Sequence, residues 1–104
     1  MTNKAEIKMD GKTLRLSGDL DFSNVMPLYQ QSLALFQMNT TSVCVDFSGL
    51  TTANSVVLAL MVSWIRLAKQ QAKTIQLKNI SQEIMSLAKS SGLDKVLEPF
   101  ALYQ

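Results

Sequence analysis

One serine of this chain is placed where a hydroxyl can carry or meet negative charge. Ser55 follows Asn54 and opens an apolar stretch that we predict to be a helix. We predict that Asn54 is the N-cap residue of this helix and that its side-chain oxygen accepts from the N–H of Val56 or Val57. Ser55 would then be the first helical residue and point outward. The first helical turn has unpaired N–H groups and a partial positive potential, which favour an anion or an acceptor. The alternative is that Ser55 is a solvated residue of an ordinary cap.

The apolar run after Ser55 adds a second signal. Residues 56–62 are all apolar, so a helix covering one face of a sheet would leave some of them at the surface beside the hydroxyl. Exposed apolar residues next to a helix terminus are typical of a protein-docking surface. We therefore predict a partner-binding surface, without catalytic residues, formed by Thr52, Asn54, Ser55, Val56, Ala59 and Val62.

The composition excludes the common catalytic and metal-binding constellations. The chain has no histidine and one cysteine, Cys44, which removes Ser-His and Cys-His pairs, an internal disulfide and the usual zinc ligand sets. Gly49 stands alone in its loop, so no phosphate-binding glycine motif is present. Four aspartates are placed in turns or at a strand end, where they do not converge in a pocket for acid–base catalysis: Asp10, Asp19, Asp21 and Asp46. We predict no enzymatic activity, no cofactor and no metal.

Size and charge predict one domain over residues 1–104. With 104 residues and 47% hydrophobic content, the chain can bury a single core. The net charge of +2 is spread thinly, without the basic stripe that binds nucleic acid. No signal peptide is recognisable at the start, and the longest apolar run is shorter than the roughly 20 residues that span a bilayer. We expect a cytoplasmic protein that does not itself span a membrane.

The predicted secondary structure around Ser55 alternates between strands and helices. We predict, in order, a hairpin around Asp10-Gly11, a helix capped by Ser23 or Asn24, a strand over 43–45, a loop over 46–53, a helix over 55–71, a strand over 74–78, a helix capped by Ser81 and a last turn over 93–97. Strand-helix-strand crossovers make neighbouring strands parallel, which favours an α/β fold with a mixed sheet. We expect strand 43–45 to be buried on both faces.

Trp64 and the C-terminal tail each have two possible interpretations. Trp64 is either a packing residue of the core or rim, or a binding hot spot. The apolar tail Val96–Tyr103 either folds back on the domain or contacts a partner, and the sequence does not choose between these.

Several segments together resemble a STAS domain, and the resemblance covers nearly the whole chain: Leu16–Asp21, Val45–Leu50, Asn54-Ser55, Thr74–Lys78 and Leu87–Leu93. The resemblance implies the STAS fold, a mixed sheet of four to five strands with about four helices packed on it. The family includes anti-sigma factor antagonists, cytoplasmic tails of sulfate transporters and a small free-standing subunit of an ABC transporter that moves phospholipid between the two membranes of Gram-negative bacteria.

The chain looks most like the transporter subunit, because Pro27-Leu28-Tyr29 and Arg66–Gln71 are similar to it. That resemblance implies a non-enzymatic accessory subunit that binds the cytoplasmic ATPase at the inner face of the inner membrane and supports outer-membrane lipid asymmetry. A hydroxyl residue at the start of the second helix takes part in the contact, and Ser55 occupies that position.

The alternative is an anti-sigma factor antagonist, in which Ser55 would be phosphorylated by a partner kinase. Here Asn54 stands where that family pattern has an acid, and Val56-Val57 stand where it has glycine. These departures favour a permanent subunit over a phosphorylation switch. A third hypothesis, a lipid carrier acting alone, would need an interior cavity for which this short chain has little room.

Overall fold

The computed structural model describes residues 4–38 and 41–102 of the chain. In chain order its elements are β1 (Glu6–Asp10), β2 (Thr13–Gly18), α1 (Val25–Gln37), β3 (Ser42–Leu50), α2 (Ser55–Gln70), β4 (Thr74–Lys78), α3 (Gln82–Ser90), α4 (Asp94–Leu97), a 3-10 helix (Glu98–Phe100) and β5 (Ala101–Leu102). Among the described residues the strands form one sheet in the order β1-β2-β3-β4-β5. The β1–β2 pair is antiparallel and the other pairs are parallel. The predicted mixed α/β sheet with about four helices is confirmed.

Short-range sequence signals mark most of the turns and helix starts. Gly11 closes the β1–β2 hairpin with a φ of 63°, which a residue without a Cβ adopts easily. Ser81 caps α3, its hydroxyl accepting from the N–H of Ile84 at 3.1 Å. Asn24 is the N-cap residue of α1 but bonds no helix N–H. The predicted side-chain cap of α1 is therefore wrong, because the Asn24 side chain instead accepts from the N–H of Asp21 at 2.9 Å.

All helices pack on one face of the sheet. From β2 to β5 every crossover is parallel and moves to the next strand in the same direction, so right-handed crossovers put every connecting helix on the same side. The strand residues facing the helices are buried and apolar: Leu14, Leu16, Val43, Val45, Ile75 and Leu77. The opposite face carries mainly polar side chains, among them the exposed Glu6, Lys8, Arg15 and Gln76.

The central strand differs from its prediction in two ways. β3 continues to Leu50, so residues 46–50, predicted as loop, are strand. Pairing with β2 holds them there, since Ser17 lies opposite Gly49 after a bulge. The expected burial of this strand on both faces is also wrong, because no connecting helix covers the second face and Cys44 on it is only half-buried.

Trp64 belongs to the core. Its side chain is 0% exposed and lies between the rings of Phe36 and Phe47, with centroid separations of 6.3 and 6.2 Å. The indole N–H donates to the Ser32 hydroxyl at 2.8 Å, and that hydroxyl donates to the Tyr29 carbonyl at 2.5 Å. Ser32 therefore satisfies a donor that would otherwise be buried without a partner.

Ser32→Ala should lower the free energy of unfolding by about 1 to 3 kcal/mol, because it leaves the Trp64 N–H buried and unpaired. Urea unfolding followed by far-ultraviolet circular dichroism measures the change. In a Trp64→Phe background, which removes that donor, the same substitution should have a clearly smaller effect. An equal effect in both backgrounds would contradict this role for Ser32.

The end of the chain folds back on the domain. Leu97 is fully buried, and Ala101 pairs with Leu77 beside β4. The fold-back predicted as one alternative is therefore observed, with Val96 and Leu102 still exposed, while Tyr103 lies outside the described residues. Within the described residues, no helix combines the length and apolar character needed to cross a bilayer.

Candidate functional site

The start of α2 lies at the carboxyl edge of the sheet, where two loops are tied together. β2 and β3 are parallel, so the loops that follow them, 19–24 and 51–54, leave from the same edge. The N–H of Thr51 donates to the Gly18 carbonyl at 3.0 Å. The Thr51 hydroxyl also donates to the Asp19 carboxylate. These bonds hold the segment before α2 against the end of β2.

The backbone of Leu20 joins the two loops by hydrogen bonds to Thr52 and Asn54. Its N–H donates to the Thr52 hydroxyl at 3.0 Å, and its carbonyl accepts from the same hydroxyl at 3.3 Å. The Leu20 carbonyl also accepts from the Asn54 side-chain amide at 2.9 Å. The half-buried Thr52, which we predicted as a partner-binding residue, thus has its hydroxyl engaged within the chain.

Asn54 is the N-cap that the sequence predicted. Its side-chain oxygen accepts from the N–H of Val56 at 3.0 Å and of Val57 at 3.3 Å. Because the amide end of the same side chain is bound to Leu20, the helix start is fixed from both sides. Ser55 is the first residue of α2, is exposed, and forms no side-chain hydrogen bond with any described residue. Its hydroxyl is available to another molecule.

The periodicity of α2 determines which apolar residues lie on the same side of the helix as Ser55. At about 100° per residue, Ala59 and Val62 return to within about 40° of Ser55 on the helix surface. Ala59 is exposed and Val62 partly exposed. Val56 lies about 100° away and is only 4% exposed, within the core. Val56 is therefore buried and not exposed beside Ser55, whereas Ala59 and Val62 are accessible.

A groove separates the start of α2 from the start of α1. It encloses about 640 Å³, and its lining includes Lys4, Asp19, Asp21, Pro27, Gln31 and Asn54. The charged residues of this lining are two aspartates and one lysine, so their formal charges sum to a net negative value. Ser23 donates both its hydroxyl and its N–H to the Asp21 carboxylate, which lowers the pKa of Asp21 from its ordinary value. Among residues 4–38 and 41–102, no three His, Cys, Asp or Glu side chains are grouped to hold a metal.

This groove and the Leu20 connection were not predicted from the sequence. Leu20 and Thr52 are 32 residues apart, and no local pattern pairs them. The available signal was indirect: polar residues follow two successive strands, and parallel strands end at the same edge of a sheet.

Asp46 lies on the uncovered face of the sheet and has a structural role. The residue is 5% exposed, and its carboxylate accepts from the Ser48 N–H at 2.9 Å and the Asn79 amide at 3.0 Å. Burial raises the pKa of Asp46, but the hydrogen bonds from Asn79 and Ser48 and the charge of Arg15 outweigh burial and leave that pKa lowered. The bond to Ser48 stabilises β3 at the bulge.

The lowered pKa of Asp46 gives its contribution to stability a defined pH dependence. The ionised form stabilises the fold above the unfolded pKa of about 4, and this contribution is lost as pH falls through the lower native pKa. Asp46→Asn should therefore lower the free energy of unfolding by about 1 to 3 kcal/mol at pH 7, and the difference from the parent should shrink below about pH 4. Chemical unfolding of both proteins from pH 7 to pH 3 measures it; a constant difference would exclude the ionised carboxylate as the cause.

The family model described as "Mlab, STAS domain" matches residues 4–99. The intermembrane phospholipid transport system binding protein MlaB of Escherichia coli is 33% identical over 83 residues, covering 80% of this chain and 82% of the relative. The protein of the same name from Shigella flexneri matches to the same extent.

Solved structures agree with the fold. A chain of the Acinetobacter MlaFEDB complex, in an ATP-bound conformation, has a TM-score of 0.73 and 28% identity, with 84% of this chain and 92% of that chain covered. The unphosphorylated anti-sigma factor antagonist SpoIIAA has a TM-score of 0.69 with 24% identity, with 95% and 86% covered, and shows the fold alone. Because the family model spans nearly the whole described chain and the Escherichia coli relative is similar over most of its length, this chain belongs to the MlaB family of STAS domains.

Proposed function

We propose that this chain is a non-enzymatic accessory subunit of an ABC transporter that moves phospholipid and maintains outer-membrane lipid asymmetry. It binds the cytoplasmic ATPase subunit and is held through it at the inner face of the inner membrane. Family membership supports this, together with the similarity to a phospholipid transport protein and to a chain of the MlaFEDB complex.

One observation carries the proposed contact: a free hydroxyl held rigidly at an exposed helix start. Asn54 uses both ends of its side chain to fix the first turn of α2, and Ser55 projects from it. A rigid surface loses less conformational entropy on binding than a mobile one. Ser55 donates a hydrogen bond to the ATPase, and Ala59 and Val62 supply the apolar contact beside it.

Co-expression with the ATPase and permease subunits of a phospholipid-transport ABC transporter tests the proposal. The chain should co-elute with the ATPase in size-exclusion chromatography after affinity purification through the permease. Separate elution of the chain and the ATPase, with each shown to be folded, would overturn the proposal.

A second function is favoured by the same free hydroxyl. As an anti-sigma factor antagonist, the chain would bind an anti-sigma factor kinase and be released when Ser55 is phosphorylated, because a phosphate adds about −1.5 to −2 charge to the docking surface. Incubation with candidate kinases and ATP, followed by mass spectrometry of the peptide containing Ser55, separates the two functions. A phosphorylated Ser55 peptide together with loss of kinase binding would favour the antagonist.

A further inference from the structure

The outward surface of α1 lacks the charges that soluble proteins normally display. No Asp, Glu, Lys or Arg occurs between Asp21 and Asp46, a stretch that contains all of α1. Well-solvated surfaces carry charged residues at about a quarter to a third of their positions. Interface cores, in contrast, are depleted in charge and enriched in aromatic residues and methionine.

Two large apolar side chains are exposed at the start of this stretch. Phe22 is 83% exposed and Met26 is 60% exposed. The carbonyl of Asp21 accepts from the N–H of Val25 at 3.1 Å, so residues 21–25 form a turn that leads into α1. Phe22 lies in this turn and Met26 is the second residue of α1, and we call these two exposed side chains the apolar patch.

This patch borders the groove that ends at Asn54. Asp21 and Ser23 on either side of Phe22, and Pro27 next to Met26, all line the groove. The start of α2 lies across it, since Thr52 and Asn54 line the opposite wall. A protein that contacts Ser55 and extends across this groove meets Phe22 and Met26 next.

The groove also has a charge preference. In the described residues neither Asp19 nor Asp21 forms an ion pair with a lysine or arginine. The Asp21 carboxylate accepts hydrogen bonds from Ser23, which leaves its charge without a cationic partner among the described residues. Lys4 offsets only one of the two negative charges in the lining. The groove thus complements a cation flanked by apolar surface.

We infer that Phe22 and Met26 extend the docking surface of Ser55 across the groove, and that they receive a segment of the ATPase subunit with an apolar side chain next to a lysine or arginine. The inference rests on the proposed function, because it takes the ATPase as the occupant. Exposed aromatic anchors carry a large share of binding energy once a partner covers them, and the cation steers the approach and fixes the register.

Affinity measurements on matched variants of the full chain test the inference. Phe22→Ser and Met26→Ser should each weaken binding to the purified ATPase by about tenfold or more. Met38→Ser is the control, because Met38 is 69% exposed but lies just beyond the far end of α1. It should change the affinity less than about twofold, within the range of near-neutral surface contacts.

A second set of measurements tests whether the negative charge of Asp21 contributes to binding. Asp21→Asn keeps an acceptor for Ser23 and removes the negative charge, so the affinity for the ATPase should become less sensitive to added salt. Unchanged salt sensitivity would exclude the cation. Equal affinities for Phe22→Ser and Met38→Ser, with Ser55→Arg still disruptive, would overturn the inference and leave the proposed function standing.

Two further outcomes would also overturn it. If the parent chain does not bind the ATPase at all, the proposed function fails and this inference fails with it. If sedimentation shows a dimer of the parent that Phe22→Ser dissociates, with no change in ATPase affinity, the patch belongs to a second copy of the chain.

Discussion

Ser55→Arg should abolish co-purification with the ATPase subunit and leave the fold intact. The serine is exposed at the first position of α2, and its hydroxyl has no partner among the described residues. In a docked complex the arginine would be too large for the contact and its charge would be desolvated without a partner, which costs several kcal/mol. We expect the affinity to fall at least about a hundredfold.

The fold should tolerate this substitution. A cation in the first turn opposes the helix dipole by only about 0.3 to 1 kcal/mol at an exposed position. Thermal unfolding should therefore remain cooperative, with a small decrease in midpoint. Ser42→Arg provides the matched control, because Ser42 is an exposed serine at the opposite edge of the same sheet. It should leave the association unchanged.

Ser55→Glu tests whether the positive charge of arginine, or its size and desolvation, causes the loss of ATPase binding. Glutamate suits the positive end of the helix dipole, so stability should be equal to or slightly above that of the parent. Loss of binding in both variants indicates that size and desolvation at the contact decide it. Full binding by folded Ser55→Arg, measured by titration against the ATPase, would remove Ser55 from the interface.

Gly18→Ala should have the largest effect on stability. Gly18 has a φ of 87°, where a side chain is strained by about 1 to 2 kcal/mol. A Cβ at this position would lie 2.3 Å from the Lys4 carbonyl oxygen, so the backbone of the neighbouring segment must move. Strain and overpacking together should lower the free energy of unfolding by about 2 to 5 kcal/mol.

Gly11→Ala separates the contribution of backbone strain from that of overpacking. Gly11 also has a positive φ, of 63°, but a Cβ there would meet nothing within 4 Å. It should therefore cost only the strain of about 1 to 2 kcal/mol. Urea unfolding of both variants compares them. Equal effects would mean that the close approach of Lys4 to Gly18 contributes nothing.

The destabilisation caused by Gly18→Ala should also affect the candidate site at the start of α2. The Gly18 carbonyl accepts from Thr51, which precedes the start of α2. A displaced Gly18 would loosen the loop that holds Asn54, so hydrogen exchange at the Val56 and Val57 amides should speed up more in Gly18→Ala than in Gly11→Ala.

Features that depend on neighbouring residues could be predicted from the amino-acid sequence. The turn at Gly11 and the caps at Asn54 and Ser81 were predicted correctly, because each involves hydrogen bonds or backbone angles within a few positions. The alternation of strands and helices was also predictable, since apolar periodicity is a local property. Together these signals placed Ser55 at an exposed helix start.

The surfaces that remain exposed for a partner depend on how the helices pack and the strands pair. Val56 is buried because α2 packs with that side on the sheet, and residues 46–50 are strand because β2 pairs with them. The bond between Leu20 and Thr52 joins residues 32 positions apart, and the groove beside Phe22 exists only because of such contacts. The physical reason is that packing and strand pairing join segments distant in sequence, so a local pattern records that a residue is apolar but not which neighbour covers it.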